Sequence, residues 1–172
     1  MRYLTATEKQ TFNLGKKLAK TLKGGEVLAL SGDLGAGKTV LTKGLAAGLG
    51  VKGIVNSPTF VLMKLYPLQA TSLPRLIQTK RGFVRGYKFT PPDPSEARIR
   101  AGLQAKKLIH IDCYRLKSSQ ELMDIGASEY FNQLDTIVVI EWAEKIKKIL
   151  PQQVIKINIK IKAGGKREIT IT

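Results

Sequence analysis

The run Gly32-Asp33-Leu34-Gly35-Ala36-Gly37-Lys38-Thr39 fits G-x-x-x-x-G-K-[ST] in full. It constrains the fold more than any other feature of the chain. Such a loop works only between a buried strand and the start of a helix, and both flanks are present. Before it, Glu26-Val27-Leu28-Ala29-Leu30-Ser31 is a short apolar run that reads as a buried strand. After it, Leu41, Leu45 and Leu49 share one face of a helix that begins at Lys38 and ends at Gly50. Glycines let the backbone wrap tightly with its N–H groups turned inward. Those groups and the positive end of the helix cradle phosphate oxygens. Lys38 reaches the β- and γ-phosphates of a nucleotide as a point charge, and the Thr39 hydroxyl is a ligand for Mg²⁺. Gly32, Asp33, Leu34, Gly35, Ala36, Gly37, Lys38 and Thr39 are therefore the candidate phosphate-binding residues. The bland alternative is a chance glycine-rich turn.

The remaining pattern predicts an α/β fold. Thr7 to Gln10 has capping-box spacing, and Phe12, Leu14, Leu18, Ala19 and Leu22 follow at roughly helical spacing before Gly24 and Gly25. Residues 59–66 read as a strand. Lys107 to Asp112 and Thr136 to Glu141 read as buried strands. Ser118-Ser119-Gln120-Glu121 has the spacing of a capping box opening a short helix. Ala143 to Leu150 reads as another helix, stopped by Pro151. The end alternates instead. Val154 to Lys162, a turn at Ala163-Gly164-Gly165-Lys166, and Glu168 to Thr172 form a hairpin with one wet face. With the glycine-rich loop, this predicts a P-loop NTPase-like three-layer sandwich. Its sheet is mixed, mainly parallel, with a C-terminal antiparallel hairpin. The whole of 1–172 reads as a single domain.

Phosphoryl chemistry needs acids facing the loop. Asp112 and Glu141 each end a buried strand, and ligands bind at the carboxyl ends of strands in open α/β sheets. The two carboxylates could hold Mg²⁺ through water or orient an attacking water. Each could equally be a helix cap or a salt-bridge partner. Ser57-Pro58-Thr59 lies where a switch segment would sense the γ-phosphate, or is a plain proline turn. Trp142, the single tryptophan, could stack on a base or a partner, or simply fill core. His110 alternates with apolar residues and reads as a core histidine. Cys113 reads as inert packing.

Composition enters mainly as exclusion. One cysteine and one histidine rule out a disulfide within the chain, a cysteine-based zinc cluster and a multi-histidine metal site. No secretory leader and no run of about 20 apolar residues is visible, so a cytoplasmic location is expected. The net charge of +16 suggests a polyanionic partner or a bare positive surface. Part of it falls in residues 67–106, which carry eight basic residues against Asp93 and Glu96, and five of the seven prolines. A segment this long without periodicity is functional or disordered.

Several stretches occur together in order: the loop at 32–39, Ser-Pro-Thr-Phe at 57–60, His-Ile-Asp-Cys-Tyr-Arg at 110–115, Glu-Leu-Met-Asp-Ile-Gly at 121–126, Glu-Tyr-Phe at 129–131 and Glu-Trp-Ala-Glu at 141–144. In this combination the chain resembles the TsaE (YjeE) family, small P-loop ATPases of bacterial tRNA threonylcarbamoyladenosine (t6A) synthesis. The resemblance implies ATP and Mg²⁺ as cofactors, slow hydrolysis, and association with TsaD and TsaB homologues. Those partners modify position 37 of tRNAs reading ANN codons. It implies that Lys38 and Thr39 bind phosphates and Mg²⁺, and that Asp112 and Glu141 are the acids of the site. It makes 57–59 the switch and puts Trp142 beside the nucleotide or partner. It places Thr11 on an N-terminal helix near the adenine. Two departures stand out. Val40 replaces a second hydroxyl residue, and Tyr66 and His110 are 44 positions apart where the family has a short turn.

Two other functions fit part of the pattern. A small-molecule or nucleoside kinase could use Arg75, Arg81 and Arg85 as a lid. A nucleotide-gated RNA-binding module could use the same insertion, with Phe83, Tyr87 and Phe89 interleaved among its cations, to contact tRNA directly.

Overall fold

The computed structural model describes residues 1–59, 61–68, 78–79, 82–83 and 103–172. The strands are β1 (Arg2–Thr5), β2 (Val27–Ser31), β3 (Met63–Pro67), β4 (Gln78–Thr79), β5 (Gly82–Phe83), β6 (Lys107–Asp112), β7 (Thr136–Glu141), β8 (Ile155–Ile161) and β9 (Arg167–Ile171). The helices are α1 (Glu8–Ala19), α2 (Lys38–Gly48) and α3 (Gln120–Asp124), joined by short 3₁₀ segments. Seven strands form one sheet in the order β1-β9-β8-β2-β7-β6-β3. Its centre, β8-β2-β7-β6, is parallel, and antiparallel strands close both sides. β4 and β5 pair separately as a short ribbon.

Strand alternation divides the core into two layers. Leu28, Leu30, Leu108, Ile137, Val139, Ile157 and Ile159 pack on one face with Leu14 of α1 and Leu41 and Leu45 of α2. Val27, Ala29, Ile109, Ile111, Val138 and Ile140 pack on the other with Leu122, Ala127, Ala143 and Ile146. Nearly every residue of β2, β6 and β7 is buried, which explains their continuous apolar sequences. In β8, Ile157 and Ile159 are buried while Lys156, Asn158 and Lys160 are exposed, as the alternation predicts. Among the described residues, no helix is long and apolar enough to cross a membrane.

Local signals mostly act as expected. Thr7 Oγ1 accepts from the Gln10 amide at 3.2 Å, and Gln10 Oε1 accepts from Ala6 N–H at 2.6 Å, capping α1 from both directions. At α3 only the acidic half of the box forms. Glu121 Oε1 accepts from the backbone of Lys117 and Ser118, and Ser119 makes no side-chain cap. The strand expected over 59–66 begins later, at Met63. The Pro58 carbonyl accepts from both Val61 and Leu62 N–H, and Leu62 sits at φ 62°, so the chain is still turning there. The helix expected after Ala143 is 3₁₀ through Ile149 and is broken at Ile146. β1 has too short and mixed a sequence to announce itself, and it forms by pairing with β9.

The ends of the 67–106 segment belong to the core rather than to an insertion. Leu68 and Ala105 are buried, Leu68 N–H donates to Lys106 O at 2.8 Å, and Pro67 pairs with Lys107. Arg75, Arg81, Arg85, Tyr87 and Phe89 lie outside the described residues, as does the Phe83 side chain. The lid and RNA-arm expectations rest on them.

α1 and α2 pack in close contact, and Gly44, together with Gly15 and Gly48, allows it. A Cβ on Gly44 would lie 2.1 Å from the Phe12 carbonyl oxygen of α1. The helices would have to separate to admit a methyl group. Gly44→Ala is therefore expected to lose about 1–3 kcal/mol despite alanine's better helix propensity. Urea denaturation with an unchanged slope and a lower midpoint is the expected reading.

Candidate functional site

The sheet register builds the site before any side chain is considered. Asp112 pairs with Glu141, and Leu30 pairs with Glu141, so β6, β7 and β2 end on one line. Alternation then decides which face each residue takes. His110 and Asp112 follow Leu108, and Glu141 follows Val139, all on the face covered by α2. The two acids therefore meet the loop that opens α2.

That loop is held by backbone contacts. Gly32 has φ 137°, and a Cβ on it would lie 2.2 Å from Ile159 O of β8, so only glycine fits this approach. Gly37 is left-handed at φ 104° and is the N-cap of α2. No side chain caps α2 and its first turn holds no acid. Among the described residues its first N–H groups have no side-chain acceptor, the condition in which a helix start takes an external anion.

Lys38 is nearly buried beneath this loop. Its Nζ donates to Gly32 O at 2.6 Å and Asp33 O at 2.9 Å, and lies 3.6 Å from the centre of the Trp142 ring. Burial lowers the Lys38 ammonium below its ordinary range, and Glu141, Glu144, Asp112 and Asp33 act in the opposite direction. Trp142 adopts φ 59°, ψ 40° just after β7, which turns its ring over Lys38 and toward Tyr114, with ring centres 5.1 Å apart.

Both carboxylates are buried and fully engaged. Glu141 Oε2 accepts from Thr39 Oγ1 at 2.8 Å, and Glu141 Oε1 pairs with His110 Nε2 at 2.8 Å. Asp112 Oδ2 accepts from the Ser57 hydroxyl and from Thr59 Oγ1, while Oδ1 accepts from Tyr114 N–H at 2.9 Å. One acid is thus tied to the loop and the other to the 57–59 segment. Between them opens a cleft of about 350 Å³. Lys38, Thr39, Ser57, Thr59, Asp112, Glu141 and Trp142 all line it.

Of the other expected residues, Leu34, Gly35 and Gly37 line the cleft, and Gly32, Asp33, Ala36 and Pro58 shape the backbone behind it. Thr11 lies on the expected helix behind the loop and does not itself line the cleft. It is fully buried, its hydroxyl pairs with Thr5 Oγ1 at 2.8 Å, and its methyl group backs Gly37. Glu8 and Tyr114 line the cleft without having been singled out. His110, read as core, is indeed buried, but its partner is a residue of the site. The His-x-Asp spacing was the available signal, since residues two apart on a strand share a face.

The profile of the family described as "Threonylcarbamoyl adenosine biosynthesis protein TsaE" matches residues 5–77 and 96–169. The chain belongs to the TsaE family. Among its TsaE relatives, the Bacillus subtilis protein is 36% identical over 172 residues, covering 100% of this chain and 85% of that protein. The Treponema pallidum protein is 32% identical over 171 residues, covering 99% of each. Both are named "tRNA threonylcarbamoyladenosine biosynthesis protein TsaE". The crystal structure of Bacillus subtilis YdiB superposes with a TM-score of 0.65 at 31% identity, over 99% of this chain and 83% of that one. The mixed α/β sandwich is thus the fold of this TsaE chain and of its solved neighbour.

Cys113 stands beside this site but takes no part in it. It is fully buried, and burial with Asp112 alongside pushes its thiol up to about 12. A thiolate reagent at pH 8 should leave the native protein unlabelled and titrate one thiol after unfolding.

Proposed function

We propose that this TsaE chain is a Mg²⁺-dependent ATPase that supports formation of threonylcarbamoyladenosine on tRNA together with TsaD and TsaB homologues. The observation that carries the reading is the pair of buried carboxylates held across from Lys38 and Thr39 at an uncapped helix start. The donor set fits Mg²⁺ with a nucleotide. Mg²⁺ favours oxygen ligands and binds through one or two carboxylates plus phosphates rather than a protein cage. Among the described residues, no group of three or more His, Cys, Asp or Glu forms such a cage. Thr39 and Glu141 would hold the ion, with Asp112 adjoining through water. Once bound, it neutralises phosphate charge as the γ-phosphoryl group leaves.

The chain's own residues supply the rest. The first N–H groups of α2 receive phosphate oxygens. Lys38 exchanges the carbonyls of Gly32 and Asp33 for the β- and γ-phosphates. Asp112, held by Ser57 and Thr59, couples the γ-phosphate end to the 57–59 segment and orients the attacking water. Trp142 closes the cleft over Lys38 and excludes solvent. Val40 adds no hydroxyl beside Thr39, so the loop offers one side-chain hydroxyl to the ion.

Lys38→Ala should weaken ATP binding by about 2–3 kcal/mol, on the order of 100-fold, in calorimetric titration. Glu141→Ala should cut turnover about 100-fold or more while changing nucleotide affinity measured in EDTA far less. Normal turnover in that variant would remove the role assigned to Glu141. Affinity capture with TsaD and TsaB homologues, with and without ATP, should recover a complex. Failure under every nucleotide condition would overturn the partner assignment.

A further inference from the structure

His110 is fully buried, and its Nε2 lies 2.8 Å from Glu141 Oε1. Glu141 is 2% exposed, and its other oxygen takes the Thr39 hydroxyl. His110 Nδ1 is buried with no hydrogen-bond partner among the described residues. An apolar residue would fill this core position without stranding a nitrogen, so packing alone is a poor reason for histidine here. The contact that distinguishes it is the one to Glu141. With its proton on Nε2, His110 donates to the carboxylate and leaves Nδ1 as a lone pair, which buries more readily than an orphaned N–H.

We propose that His110 is a positioning residue for the Mg²⁺ edge of the cleft, locking the Glu141 side chain so that Oε2 faces Thr39. The inference rests on the Mg²⁺–nucleotide reading above and adds a residue to it. The geometry separates the two acids. Asp112 is held by three donors, from Ser57, Thr59 and Tyr114. Glu141 has two, and Thr39 is the one expected to turn toward the ion. In that state His110 is the remaining anchor of the carboxylate. A carboxylate that serves a metal is itself hydrogen-bonded from behind, and loss of such a partner typically costs 10–100-fold in metal affinity or activity.

The test is calorimetric binding of the non-hydrolysable analogue AMP-PNP, in EDTA and across a Mg²⁺ titration. It uses the whole chain as wild type, His110→Leu, His110→Gln and His110→Asn. Thermal melts establish that each variant is folded. In EDTA all four should bind within about twofold of one another, because among the described residues His110 makes its hydrogen bond to Glu141 and none to the loop or Lys38. In Mg²⁺, His110→Leu should need about 10–100-fold more ion for the same gain in affinity. Gln, whose amide reaches the Nε2 position, should restore most of it. Asn, whose amide falls at the Nδ1 position, should not. In a Glu141→Gln background, His110→Leu should have no further effect on the Mg²⁺ dependence.

An unchanged Mg²⁺ dependence in His110→Leu overturns the proposal, as does equal loss in the Gln and Asn variants at matched stability. If His110→Leu does not fold, the Gln–Asn contrast decides alone. Wild-type protein that binds AMP-PNP without any Mg²⁺ dependence would sink the Mg²⁺ reading itself, and this proposal with it. Wild-type dependence shared unchanged by every variant would sink only the role of His110.

Discussion

The parallel pairing of β2, β7 and β6 is the constraint on which the rest depends. Because Leu30, Glu141 and Asp112 are matched across three adjacent strands, their ends lie side by side. A one-residue slip of β6 against β7 would send Asp112 to the opposite layer and bring Ile111 to the cleft. Both faces of these strands are apolar, with Leu108, Ile137 and Val139 on one side and Ile109, Ile111, Val138 and Ile140 on the other. The register is marked by the polar contacts, because a slip would part His110 from Glu141 and Asp112 from Ser57 and Thr59.

Three buried ionisable groups share the space above these strand ends: Lys38, Asp112 and Glu141. Buried charge is costly unless paired and hydrogen-bonded. Here each group is satisfied by partners that are themselves parts of the site. Lys38 uses loop carbonyls and the Trp142 face, Asp112 uses the 57–59 hydroxyls, and Glu141 uses Thr39 and His110. On the proposed reading a phosphate ligand would compete for several of those contacts, and its entry would bear on the loop, the 57–59 segment and the Trp142 ring together.

Much of this was legible in the linear chain. The loop motif, its two flanks and the three buried strands follow from spacing and apolar runs. The site residues from Lys38 to Trp142 follow from strand ends and family resemblance. Less was legible where local sequence competes with tertiary contacts. The stretch 59–62 looks like strand by composition, yet the Pro58 carbonyl and the pull of Asp112 on Thr59 keep it turning. β1 is invisible until β9 offers it an edge. Thr11 sits on the expected helix, but its hydroxyl is satisfied inside the fold by Thr5.

By itself the sequence determined the glycine-rich loop between strand and helix, the α/β class and the family, because each is encoded in short-range spacing of glycine, lysine, hydroxyl and apolar residues. The tertiary structure alone decided which polar groups meet. Thr39 and Glu141 are 102 positions apart, and His110 and Glu141 are 31 apart. Their contacts exist only because segments separated along the chain are brought to strand ends that share a register and a face. The same reason moved His110 from a core position to the back of the site: its burial is a property of its strand, and its partner a property of the sheet.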